Sequence, residues 1–109
     1  MKRDELLKYA AEMVCGNREQ DYGTPERNFD RIAEFWTTYL GDRLNVNLTA
    51  MDVAAMMSLI KLARFSTGRA KEDNWVDLAG YAACGGEIQT KGTATRGMEP
   101  VTAYGGGRA

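Results

Sequence analysis

The stretch Glu72-Asp73-Asn74-Trp75-Val76-Asp77-Leu78-Ala79-Gly80-Tyr81-Ala82-Ala83 organises the rest of the chain. Trp75, Leu78, Ala79 and Ala82 recur at helical spacing, which predicts a helix buried along that side. Asp73 and Asp77 stand one turn apart on one face. Two readings of this pair stay open. Acids in the first turns favour the positive end of a helix. The same two carboxylates on a buried helix would supply oxygen ligands for a divalent cation. Gly80, Gly85 and Gly86 each weaken a helix by about 1 kcal/mol relative to Ala. A helix that forms despite them is expected to let another backbone or a ligand come close.

Working outward, Thr49-Ala50-Met51-Asp52 has capping-box spacing, with Asp in place of Glu. The helix it opens, to about Ser66, is apolar on nearly all sides from Val53 to Ile60, and such helices are central ones. Lys61 and Arg64 share a face near its end, either as cations favouring the negative helix end or as phosphate ligands. Upstream, Thr24-Pro25-Glu26 is a helix start: a capping hydroxyl, proline at the first position and an acid in the first turn. Phe29, Ile32, Ala33, Trp36, Tyr39 and Leu40 keep the period until Gly41. A first helix over Asp4 to Cys15 carries a stripe of Leu7, Ala10, Ala11 and Val14, and Asn17 to Gly23 is a polar loop. Four helices, near 4–15, 25–40, 50–66 and 73–89, with no strand pattern, predict an all-α antiparallel four-helix bundle over residues 1–90. From Lys91 to Ala109 glycine and threonine replace any period, and a disordered, dispensable tail is expected.

Length and composition bound the function. A chain of 109 residues suits one domain and buries only a modest share of its surface, so a homo-oligomer is expected. The contacts expected to hold it are the apolar run Val53 to Ile60 and the small-residue face Ala79, Gly80, Ala83. A formal net charge of −1 leaves no basic field to argue for DNA or RNA. The apolar run is too short to span a membrane, and the N-terminus, acidic from Asp4, does not read as a signal peptide. Cys15 and Cys84, both within predicted helices, read as reduced core thiols of a cytoplasmic protein.

No histidine is present to activate a nucleophile or bind a metal, and no phosphate loop with a following Lys-Ser/Thr occurs. What remains is acids (Glu12, Glu19, Asp21, Asp30, Glu34, Asp73, Asp77) and cations (Arg18, Arg27, Lys61, Arg64). Carboxylates holding Mg²⁺ and cations holding phosphate would suit a nucleotide site, although most such residues are ordinary solvated surface. Tyr22, Trp36, Trp75 and Tyr81 are aromatics able to stack on a base; Trp36 and Trp75 read as core, while Tyr22 stands in a polar loop off any stripe. Lys61 and Arg64 come late in the third helix and Asp77 early in the fourth. Antiparallel packing across the Gly68 link would put them level, with Asp21-Tyr22 reaching the same end.

Asp21-Tyr22-Gly23, Asn28-Phe29, Lys61-Leu62-Ala63-Arg64 and Asp73 through Asp77-Leu78-Ala79-Gly80-Tyr81-Ala82 together resemble a family of small phage and prophage proteins of no settled function. The skeleton is also similar to phage proteins linked to nucleotide modification and, more distantly, resembles the MazG-like all-α nucleoside triphosphate pyrophosphohydrolases. That resemblance implies a MazG-like bundle, a nucleotide or nucleotide-derived ligand, Mg²⁺ as cofactor, and the host cytoplasm as location. MazG-like enzymes carry Glu-Glu-x-x-Glu on one helix and Glu-x-x-Asp on a later one. Laid on this chain, these fall on Lys8, Tyr9 and Glu12, and on Asn74 and Asp77 with Asp73 adjacent. The resemblance therefore implies Glu12, Asp73 and Asp77 at metal, Glu12 and Asp77 in catalysis, and Asp21, Tyr22, Lys61, Arg64 and Tyr81 at substrate. Lys8 and Tyr9 replace the paired glutamates, and Asn74 offers only a neutral oxygen. Fewer anionic ligands weaken a Mg²⁺ site. Three functions follow as expectations: a Mg²⁺-dependent pyrophosphohydrolase, a non-catalytic protein that sequesters a nucleotide or nucleotide-derived signal, or an oligomerisation module.

Overall fold

The computed structural model describes residues 1–16, 23–67 and 71–96, with side chains through Lys91. It is all-helical over these residues, with four α-helices in chain order: α1 (Arg3–Cys15), α2 (Pro25–Leu40), α3 (Ala50–Phe65) and α4 (Glu72–Arg96). A 3₁₀ turn, Gly41–Arg43, follows α2. The helix starts are built as their sequences dictate. Thr24 Oγ1 accepts from the Arg27 amide at 3.3 Å, with Pro25 at the first helical position. At α3, the Thr49 amide donates to Asp52 Oδ2 at 2.8 Å and the Asp52 amide donates back to Thr49 Oγ1 at 3.3 Å. Each bond satisfies a donor that a helix start otherwise leaves unpaired.

Helix α4 is the hub. Lys61 meets Asp77, and Phe65 stacks on Trp75, so late α3 is level with early α4 and the two run antiparallel. On its other side α4 carries α1. The Met1 amine pairs with Glu72, and Val14 lies against Gly80, so α1 and α4 begin at the same end. The expected antiparallel order holds for α3 and α4 but not for α1. The glycines explain how two helices close on α4. A Cβ added at Gly80 would sit 3.0 Å from Val14 Cγ1, and one at Gly85 would sit 3.1 Å from Ala54 Cβ. The core is small: Phe29, Ala33, Ala50, Val53, Ala54 and Cys84, with Val14, Ile32, Trp36, Leu48, Met57, Tyr81 and Ile88 packed against it. Thr37 Oγ1 accepts from the Leu48 amide at 2.9 Å and ties the α2–α3 connection to this core.

Several expected core positions lie outside it. On α4 the buried residues are Asn74, Val76, Gly80 and Cys84, whereas Trp75 is 52 % exposed and Ala82 is exposed. The buried arc is turned away from the predicted stripe because two neighbours on adjacent sides compete for it. On α1, Ala10 is buried but Leu7 is 62 % exposed; on α2, Tyr39 is exposed beneath the Arg43 guanidinium, 5.5 Å from its ring centroid. Cys15 is exposed, so its expected place in the core is corrected, while Cys84 is buried as expected. Helix α3 is not central: only the side carrying Ala50, Val53, Ala54 and Lys61 is covered. The backbone of α4 runs on to Arg96, beyond the predicted helix end near 89 and into the segment read as tail; the rest of that segment, 97–109, lies outside the described residues. No described helix is long and apolar enough to cross a membrane.

Candidate functional site

Helix α1 packs on α4, α2 packs chiefly on α3 and meets α4 where Phe29 lies against Tyr81, and a cavity of about 160 Å³ opens between α1, α2 and α4. Its walls are Ala10, Met13 and Val14 from α1, and Pro25, Asn28, Phe29 and Ile32 from α2. Val76, Asp77, Gly80, Tyr81 and Cys84 of α4 complete it, with Met57 of α3. Gly80 has no side chain to fill this space, and Ala10 little. Most of the lining is apolar. The lining residues with strongly polar side chains are few: Asn28, Asp77 and Tyr81. The Tyr81 ring stands 6.2 Å from that of Phe29 at 36°, so the two aromatic rings of the lining pack against each other.

Asp77 does two things. It lines the cavity, and its Oδ2 holds Lys61 Nζ at 3.0 Å. Lys61 is buried, and burying an ammonium is costly unless a counter-charge accompanies it, as Asp77 does. The i, i+4 relation of Asp77 and Tyr81 then aims carboxylate and phenol along one face of α4.

The expected site residues divide into groups. Lys61, Asp77 and Tyr81 gather at or beside the cavity as antiparallel register requires. Arg64 is exposed and outside the lining, as are Glu12 and Asp73. Among the described residues no three of His, Cys, Asp and Glu gather closely enough to share a metal ion, so the trio Glu12, Asp73 and Asp77 does not form one ligand set. Asp21 and Tyr22, with Glu19 and Arg18, lie outside the described residues. Gly23, next in sequence to Tyr22, lines the cavity at a φ of 81°. Asn28 is a wall residue that the reading of sites by charge leaves out. Its signal is its position four residues before Ile32: a polar side chain on the stripe that faces the core.

A family model described as "Domain of unknown function (DUF6378)" matches residues 5–89. The chain is 44 % identical over 77 residues to the Gene 55 protein of Mycobacterium phage L5, covering 71 % of this chain and 47 % of that protein. It is 35 % identical over 81 residues to the Gene 55 protein of Mycobacterium phage D29, covering 74 % and 51 %. The chain thus spans about half the length of the curated relatives it matches. No solved structure matches.

Proposed function

The chain belongs to the DUF6378 family, and within it we propose a small-molecule-binding protein whose ligand is a nucleotide or nucleotide-derived signal, held by its base. The observation that carries this reading is the cavity between α1, α2 and α4, whose lining is mostly apolar and includes two aromatic rings and the polar residues Asn28, Asp77 and Tyr81. Ligand sites are built this way, with apolar lining for affinity and a few fixed donors and acceptors for orientation. At about 160 Å³ the space suits one flat heterocycle. Sites that enclose a whole drug-sized ligand run to roughly 300–1,000 Å³. Sugar and phosphates would therefore lie outside the walls, toward the Gly23 side. Asn28 can read a base edge, since its amide both donates and accepts, while Tyr81 and Phe29 offer stacking surface.

The reading favours binding over hydrolysis. Lys61 is committed to Asp77, and Glu12 and Asp73 stand apart from the cavity. The MazG-like alternative needs Mg²⁺ held by several carboxylates. Thermal melts across nucleosides, nucleotides and cyclic nucleotides, with and without Mg²⁺, test the proposal. A ligand at a hundred times its Kd stabilises by about 2.7 kcal/mol, a readily visible shift. Asn28→Leu and Tyr81→Ala should remove that shift while leaving the helical spectrum intact. No shift with any base-bearing compound at millimolar concentration overturns the reading. Mg²⁺-dependent pyrophosphate release overturns its non-catalytic part in favour of the pyrophosphohydrolase.

A further inference from the structure

Helices α3 and α4 carry no charged side chain from Val53 to Ile60 or from Leu78 to Gly86. Burial accounts for only one side of each. On α3 the covered side is Ala50, Val53, Ala54 and Lys61. The opposite side presents Met51, Ala55, Leu59 and Leu62, spaced by four, four and three residues, so they form one stripe. Met51 is 42 %, Leu59 61 % and Leu62 47 % exposed. Alongside it, the outer side of α4 presents Ala82 and Gly86, both exposed. A Cβ added at Gly86 would meet nothing within 4 Å. The two stripes border a shallow groove lined by Met51, Ala55, Ser58, Ala82, Gly86 and Gln89.

We propose that this outer face of α3 and α4 is the contact by which two copies of the chain form a two-fold dimer. Three features select a second copy as the occupant. The face holds both halves of a helix contact, an apolar ridge on α3 and a small-residue valley on α4. A two-fold axis places the ridge of each copy in the valley of the other, as an isologous interface requires. No charge on it is buried or opposed by docking, and the whole chain carries a net charge of only −1, so like copies do not repel. The size also fits. At 1.5 Å per residue α3 is about 24 Å long, and two adjacent helices present roughly 500 Å² in plan. Two copies would then bury about 1,000 Å² in total, the lower bound for a specific interface. The expected oligomer face of Ala79, Gly80 and Ala83 is thereby corrected: Gly80 is buried against Val14 of α1. The contact is independent of what the cavity binds. It lies on the far side of Tyr81, which lines both the cavity and the groove.

Sedimentation equilibrium of the full chain tests the proposal. The wild type should run at twice 12.1 kDa at micromolar concentration. Leu59→Glu should run as a monomer with an unchanged helical spectrum, because Leu59 is mostly in solvent within one copy. Phe35→Ser, at a 70 % exposed aromatic on α2, is the control and should remain a dimer. Should Leu59→Glu lose its fold, a mixture of Leu59→Cys and Ala82→Cys variants, each in a Cys15→Ser background, gives the second measurement: mild oxidation should link residue 59 on the ridge of one copy to residue 82 in the valley of the other. A wild type that stays monomeric at hundreds of micromolar overturns the proposal. So does a dimer that survives Leu59→Glu, one that dissociates with Phe35→Ser, or a mixture of folded Leu59→Cys and Ala82→Cys variants that does not cross-link.

Discussion

Lys61 and Asp77 show how one ion pair can be unequal in its two halves. Lys61 has a side chain 11 % exposed, and that of Asp77 is 37 % exposed. Removing the carboxylate leaves a buried ammonium without its counter-charge, whereas removing the ammonium leaves a carboxylate that water still reaches. Asp77→Asn should therefore destabilise by about 1–3 kcal/mol, below the 3–5 kcal/mol of a fully buried pair because Asp77 is partly solvated. Lys61→Met should cost less, since the thioether fills the same space and leaves no charge behind. Urea unfolding of both variants checks the order; Lys61→Met being the more damaging would show that the ammonium has work beyond this pair. The two cysteines give a second contrast. Cys15 is exposed and should react at once with a thiol reagent, whereas Cys84 is buried in the cavity wall and should react only as the fold opens. A ligand in the cavity should slow the Cys84 step and leave Cys15 unchanged, which mass spectrometry of the labelled protein would read out.

At the scale of elements, caps and glycines decide where helices start and how closely they pack. Thr49→Ala removes the oxygen that accepts from the Asp52 amide, and should cost about 1 kcal/mol in stability. The glycines of α4 should respond in opposite directions. Gly86→Ala adds a methyl into open space and should stabilise α4 by about 0.5–1 kcal/mol. It is best measured beside Leu59→Glu, which separates helix propensity from docking. Gly80→Val pushes a branched side chain into Val14, already 3.0 Å from the position of a Cβ, and should cost about 1–3 kcal/mol as overpacking. Equal effects of the two substitutions on the melting temperature would mean that α1 does not press on Gly80. Helix α1 is the element whose position these results report, because its described anchors on α4 are Val14 against Gly80 and the Met1–Glu72 pair. That pair raises the pKa of the Met1 amine above 8.0, through the hydrogen bond the ammonium donates to Glu72 and the carboxylate's charge. The amine's contribution is thus complete below pH 8.0 and fades as the pH rises through its folded value.

At the scale of the molecule, the cavity and the outer face of α3 and α4 have one origin. The four helices of the described residues cannot surround one another: α4 takes α1 and α3 as close neighbours and leaves a cavity beside α2. The core has one side chain with no exposure, Val53, while Leu59, Leu62 and Trp75 remain substantially exposed. Small chains with so little interior gain stability from a bound ligand or a second copy, because both favour the native state by mass action. The melting temperature of the wild type should accordingly rise with protein concentration, and that of Leu59→Glu should not. A concentration-independent melt of the wild type would mean that the exposed apolar face remains in water.

Local chemistry written into the chain determined where α2 and α3 start. Thr24-Pro25 and Thr49 to Asp52 act within four residues, so no distant partner is needed for their reading. The convergence of Lys61 with Asp77 was also legible, because a short link between antiparallel helices sets their level. Which way each helix faces was not legible. Periodicity locates an apolar stripe, but α4 receives α1 and α3 from different sides, and Asn74, Gly80 and Cys84 went inside while Trp75 and Ala82 stayed out. The cavity likewise exists only in the tertiary structure. Its walls come from separate helices, and the space between them depends on how closely α1 approaches Gly80 and α3 approaches Gly85, distances that no pattern along a single helix contains.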